Sequence, residues 1–162
     1  MGLNKDVYIA VVGPSAATPA EHNLGEEVGR LIAESGAVLV CGGLGGLMEA
    51  AASGCAKAGG RSVGVLPSET RAGGIPYLTT VVATGMGEAR NAIVVRTADA
   101  VIAVAGEFGT LSEIALALKM GKPVVGLGTW ELAKDGEPVE AIVRSDTPAD
   151  AVSTALRLIE LR

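Results

Sequence analysis

Six short β-branched runs, "VYIAVVG", "AVLVCGG", "SVGVLP", "TTVVATG", "AVIAVAG" and "PVVGLG", alternate along the chain with longer segments of helical period, and each meets a Gly or Pro at its boundary. Both faces of these runs are apolar, with little alternation, which is the pattern of strands buried on two sides. The segments between them carry one apolar face each: Leu24, Val28, Leu31 and Ile32; Leu111, Ile114, Ala115 and Leu118; Val152, Leu156 and Ile159. Such β-α-β alternation predicts an α/β fold in three α/β/α layers, a mostly parallel sheet with helices on both sides. At 162 residues and 49% apolar content the chain fills one core without metals or disulfides, and residues 1–162 read as a single domain with no internal repeat.

In a sheet of this kind ligands bind beyond the carboxyl ends of the strands, where strand order reverses, so function is sought in the strand-to-helix turns. Four turns carry unusual residues: Val11–Thr18 with Gly13 and Ser15, Val40–Ala50, Thr84–Asn91, and the stretch Val104–Glu113, "VAGEFGTLSE". Gly42, Gly43, Gly45 and Gly46 stand between a strand and a helix, where bare backbone lets N–H groups and the positive helix end approach an anion. Close helix–strand packing explains the same glycines. A dinucleotide fingerprint fails here, because Gly43, Gly45 and then Met48 hold its three key positions, and no phosphate loop ending in Gly-Lys-Ser/Thr occurs.

Thr110 and Glu113 have two readings. As S/T-x-x-E they form a capping box that only stabilises a helix start; beside Gly106 and Gly109 they are also placed to line a pocket for an anion. Arg90 and Asn91 open a helix patterned by Ala89, Ile93 and Val94. Arg90 is suited either to clamp a phosphate or carboxylate bidentately or to make a surface ion pair with Glu88. Two connections lack a regular pattern, residues 67–78 and 129–138. The first is long enough to form a flap over a site or a solvated surface loop.

Composition narrows the partners. A net charge of −5 and 2% aromatic residues leave neither the basic surface nor the stacking platforms of a nucleic-acid binder. Cys41 and Cys55 read as small buried thiols, and with His22 as the lone histidine a zinc site lacks its ligand set, so no metal is expected. The first apolar run is too short for a signal peptide, Asp6 spoils a myristoylation pattern after Gly2, and no run reaches membrane-spanning length. A cytoplasmic protein without membrane contact is expected.

The combination "GGLGGLMEA", "EARN" and "GEFGTLSEIALALKMGKPVV", in this order, resembles the Rossmann-like superfamily of the Lonely Guy phosphoribohydrolases, once labelled lysine decarboxylases, and of the molybdenum-cofactor carrier proteins. The resemblance spans residues 7–128 and lies closest to the carrier-like branch. It implies a carrier or binding protein for a small phosphorylated nucleotide or nucleotide-like ligand, including a phosphorylated pterin. The alternative it implies is an enzyme that cleaves the N-glycosidic bond of AMP or a cytokinin riboside monophosphate.

In the second case the catalytic roles fall on Arg90 and Glu113, with Gly106, Gly109 and Thr110 at the phosphate. Homo-oligomers, dimers or tetramers, are also implied, and no resident cofactor is required. Two departures weaken the enzymatic pattern: Ala105-Gly106-Glu107 stands for Pro-Gly-Gly, and Arg90-Asn91 for Arg-Lys. The first adds a carboxylate at the phosphate turn and the second removes a cation.

Overall fold

The computed structural model describes residues 6–162, so the reading of Gly2 lies outside the described residues. The strands are β1 (Tyr8–Val12), β2 (Val38–Cys41), β3 (Arg61–Leu66), β4 (Thr80–Ala83), β5 (Ala100–Val104), β6 (Val124–Leu127), β7 (Leu132–Lys134), β8 (Glu137–Val139) and β9 (Val143–Ser145). The helices are α1 (Pro19–Glu34), α2 (Leu47–Lys57), α3 (Asn91–Thr97), α4 (Phe108–Lys119) and α5 (Pro148–Glu160), with a 3₁₀ turn at Gly87–Arg90.

Seven strands form one sheet in the order β4-β3-β2-β1-β5-β6-β9, and every pairing in it is parallel. The central strands β1, β2, β5 and β6 are buried along their full lengths apart from Tyr8, as their two-faced apolar composition requires. Their side chains divide by parity between two cores. Ile9, Val11, Ile102 and Val104 pack with α1, α2 and α5, whereas Ala10, Val12, Val101 and Ala103 pack with α3 and α4. The α1–α2 contact is close: a Cβ on Gly54 would stand 1.9 Å from the Glu26 carbonyl oxygen.

The expectation for residues 129–138 needs correction, because this segment holds the antiparallel hairpin β7–β8. Its strands are three residues long, too short to show a period, and its turn is Asp135-Gly136 with φ of 52° and 82°, the positive-φ pair of a tight hairpin. The sheet also gains β9, whose mixed sequence "VRS" carries no apolar run. The connection 67–78 is anchored in its second half: Ile75 is buried and its N–H donates to the Gly43 carbonyl at 3.3 Å, while Leu78 fills the space beside Gly64. Arg71, Ala72 and Gly73 are exposed. No helix of the described residues is long and apolar enough to cross a membrane.

Candidate functional site

Strand order reverses between β1 and β5, and the turns after these two strands meet the turns after β2 and β4 at one edge of the sheet. A cleft of about 850 Å³ opens there, lined from all four turns. Gly13 and Ser15 come from the first, Leu44 and Met48 from the second and its helix, Arg90 and Asn91 from the third, and Gly109, Thr110 and Glu113 from the fourth.

The glycines of the second turn stand behind this surface. Gly42 supports Arg90 through its carbonyl, which accepts from Arg90 Nη2 at 3.2 Å. Gly43 (φ 75°) backs onto Leu66, and its carbonyl holds Ile75. Gly46 (φ 67°) lies so near the first turn that a Cβ would stand 2.3 Å from the Ser15 carbonyl oxygen, and the following amide, Leu47 N–H, donates to Pro14 at 3.0 Å. Packing therefore accounts for these three glycines. Gly45 differs, because a Cβ there would meet only Glu49, at 3.9 Å.

The capping-box reading of Thr110 and Glu113 is overturned by where the helix begins. α4 starts at Phe108 with Glu107 as its N-cap and no side-chain cap bond, so Thr110 is the third helical residue and Glu113 lies a full turn inside. From there Glu113 has no route back to the cap amide. Both residues are buried, at 2% and 8% exposure, and both face the cleft. The amides of Phe108, Gly109 and Thr110 precede the helical hydrogen-bond ladder, which opens with Leu111 N–H to the Glu107 carbonyl at 2.9 Å.

Just before α4 the chain passes through Ala105 at φ 47°, a conformation closed to proline, and Gly106 at φ 116°. Gly106 does not line the cleft; it packs on Thr110, whose Cβ would be 2.5 Å from an added Cβ. Sparsely populated backbone of this sort persists only where its surroundings hold it, and it concentrates at functional turns.

Arg90 closes the 3₁₀ turn and is 8% exposed, so the surface ion pair with Glu88 does not form. One end of its guanidinium bonds Gly42, and Nη1 donates to Asn91 Oδ1. Its Nε is buried without a partner among the described residues. Asn91 is held in turn, its Nδ2 donating to Ser112 Oγ at 3.3 Å, and Ser112 Oγ donates to the Gly109 carbonyl at 2.6 Å. This chain of bonds ties the guanidinium to the first turn of α4.

Burial pushes the Glu113 carboxyl up to about 7, and the nearby positive charge of Arg90 offsets only part of that. At neutral pH the group is near half-protonation, the condition under which a carboxyl exchanges protons most readily. Sequence reasoning missed the apolar part of the wall, Leu44, Met48 and Leu116, as well as Phe108 at its mouth. Helical spacing from Met48 and Leu116 offered a signal for two of these, but one that core residues give equally.

An all-parallel three-layer sheet with a cleft at its point of strand reversal defines the Rossmann-like class, whose ligands sit at that point. A sequence profile of the SLOG cluster4 family matches residues 6–152, and the chain belongs to that family. It is 41% identical over 149 residues to an uncharacterised protein of Archaeoglobus fulgidus, covering 92% of this chain and 94% of the other. Its fold matches that of the molybdenum cofactor binding protein of the phototrophic bacterium Rippkaea orientalis, with a TM-score of 0.86, 33% identity and coverage of 96% of this chain and 99% of that one. The molybdenum cofactor carrier protein of Chlamydomonas reinhardtii also matches with a TM-score of 0.86, at 30% identity over 98% of this chain and all of its own, 100%.

Proposed function

We propose that this protein binds a small phosphorylated ligand of nucleotide size, a phosphorylated pterin of the molybdenum-cofactor type or a related nucleotide, in the cleft between the turns after β1 and β5, and holds it as a carrier. The observation that carries this reading is the pairing of α4's uncapped first turn with the buried Arg90, whose Nε has no partner among the described residues. The first turn of α4, with three backbone donors and the helix dipole, and the Arg90 guanidinium line the same cleft, a donor set suited to a phosphate, although Glu88, Glu107 and Glu113 line it too. A volume of about 850 Å³ falls within the range of small-ligand sites. The likeness to proteins described as binding or carrying the molybdenum cofactor supports the pterin as cargo.

The roles assigned to the remaining residues follow from their positions. Asn91 holds Arg90 in orientation and Thr110 stands at the phosphate beside Gly109. Gly13 and Ser15 line the cleft from the turn after β1. Calorimetric titration with a phosphorylated pterin and with AMP tests the reading: saturable binding without chemical change is expected. The absence of binding to any phosphorylated probe would sink it.

A second reading, hydrolysis of a nucleoside 5′-monophosphate, is favoured by Glu113, a buried carboxyl released from capping and poised near neutrality beside Arg90. In that reaction water adds to C1′ of the ribose, the bond from C1′ to the base nitrogen breaks, and the proton leaves with the base. Glu113 would orient the water and stabilise positive charge on the sugar. Free base released from AMP, and lost in Glu113→Gln at an unchanged melting temperature, distinguishes catalysis from carriage.

A further inference from the structure

The chain has one phenylalanine and one tryptophan, and the two touch: Phe108 lines the cleft, while Trp130 packs against it from a neighbouring cavity beside the β7–β8 hairpin. Phe108 is the first residue of α4, lines the cleft and is 79% exposed. Trp130 follows β6 and packs against it with ring centroids 5.6 Å apart and planes inclined by 40°. The indole is fixed to the same turn, its Nε1 donating to the Glu107 carbonyl at 3.2 Å. Packing does not account for Phe108, since α4 meets the sheet through Ile114 and Ala117 on its other side. A phenyl ring held in water is unfavourable, and here it stands beside the open amides of the first helical turn.

We infer that the Phe108–Trp130 pair is a stacking platform for the flat heterocycle of the ligand, and so the element that selects a phosphorylated ring compound over a bare sugar phosphate. This inference rests on the phosphate reading above. A tilted aromatic pair leaves the outer face of Phe108 free to take a further ring in offset or inclined contact. The hydrogen bond from Trp130 to Glu107 keeps the platform rigid, so little freedom is lost when a ring docks. Anchoring the phosphate on the amides of residues 108–110 and the ring on the side chain of residue 108 requires a spacer between them, which a sugar or a fused pyran supplies.

Ribose 5-phosphate and AMP, which share the phosphate and differ in the ring, separate the two parts. Titrations of the wild type, Phe108→Ala and Phe108→Tyr by calorimetry, with Trp130 fluorescence as a second readout, make the test. AMP is expected to bind the wild type more tightly than ribose 5-phosphate and to quench Trp130. Phe108→Ala is expected to weaken AMP by about tenfold, the scale of one base–aromatic stack, while ribose 5-phosphate is unaffected. Phe108→Tyr retains the AMP affinity.

Equal affinity of the wild type for both compounds, or an equal change for both in Phe108→Ala, overturns the platform while leaving the phosphate site standing. A change in sedimentation behaviour of Phe108→Ala with AMP affinity intact overturns it too, assigning the pair to contact with a second copy. If the wild type binds neither compound nor a phosphorylated pterin, the phosphate reading fails and the platform with it.

Discussion

Five helices begin at the carboxyl edge of the sheet; α3 continues directly from the 3₁₀ turn, and the other four, α1, α2, α4 and α5, begin in two different ways. Thr18 caps α1 by accepting from the Glu21 amide while the Glu21 side chain accepts from the Thr18 amide, a complete capping box, and Thr147 caps α5 by accepting from the Asp150 amide. α2 and α4 start on Gly46 and Glu107 with no side-chain cap at all. The capped pair contributes no residue to the cleft; the uncapped pair lines it. A cap and a bound anion compete for the same backbone donors, so a helix start that serves a ligand must go without its cap. The omission costs about 1 kcal/mol of stability at α4, and only about a few tenths of that at α2, where the cap residue is Gly46. At α2 the Leu47 amide is already taken by the Pro14 carbonyl, so it is the open first turn of α4, facing the cleft, that gives the physical basis for reading this edge as a ligand site.

The largest effect that sharpens this contrast comes from Arg90, the only cation among the residues lining the cleft. Arg90→Ala is expected to weaken a phosphorylated ligand by about 2–5 kcal/mol, the range for truncating one partner of a buried charge pair. Arg90→Lys restores little, because one ammonium cannot reach Gly42, Asn91 and a ligand together. Calorimetry with ribose 5-phosphate reads both. Unchanged affinity in Arg90→Ala would place the anion elsewhere, and the open helix start would lose its meaning.

Glu113 comes next. A carboxyl that keeps its proton to about pH 7 when folded, against 4.5 for the ordinary group, stabilises the fold fully below 4.5 and loses that contribution as pH rises through 7. The span corresponds to about 3 kcal/mol. Melting temperature followed from pH 4 to 8 is therefore expected to fall with rising pH more steeply in the wild type than in Glu113→Gln. Phosphate binding should weaken above pH 7 in the wild type alone, where the ionised carboxylate opposes the anion. Parallel profiles in the two proteins would show that Glu113 is not the group that titrates.

The sheet was legible in the sequence because six of its seven strands are apolar on both faces, a signal that depends on composition alone, but burial on two sides fails at β4, an edge strand whose residues are exposed or half-buried. β9 escaped because a three-residue edge strand carries "VRS", and the β7–β8 hairpin because its strands are shorter than the window in which periodicity shows. At the site, the strand-to-helix turns named Gly13, Ser15, Arg90, Asn91, Gly109, Thr110 and Glu113, which line one cleft, and also Gly42, Gly43, Gly45, Gly46 and Gly106, which do not. Residue spacing could not fix the start of α4. T-x-x-E is equally a capping box and a pair of cleft residues, and the two differ by where helical backbone begins, three residues earlier than the motif suggests. That displacement follows from the positive φ of Ala105 and Gly106, which turns the chain before Glu107. A tertiary turn overrode a local preference.

The smallest effects test the contrast most directly, because they oppose stability to binding. Thr18→Ala removes a cap that serves only its helix; it is expected to cost about 1 kcal/mol of stability and to leave ligand affinity alone. Gly109→Ala reverses both signs. A Cβ at Gly109 meets nothing within 4 Å, so no neighbour is displaced, and alanine in a helix gains about 0.5–1 kcal/mol over glycine. The same methyl group stands over the open amides of the first turn and should hinder a phosphate from reaching them. A variant that melts higher and binds more weakly identifies a glycine kept for a ligand. Gly109→Ala binding as tightly as the wild type would instead make the bare helix start of α4 no different from the capped starts of α1 and α5.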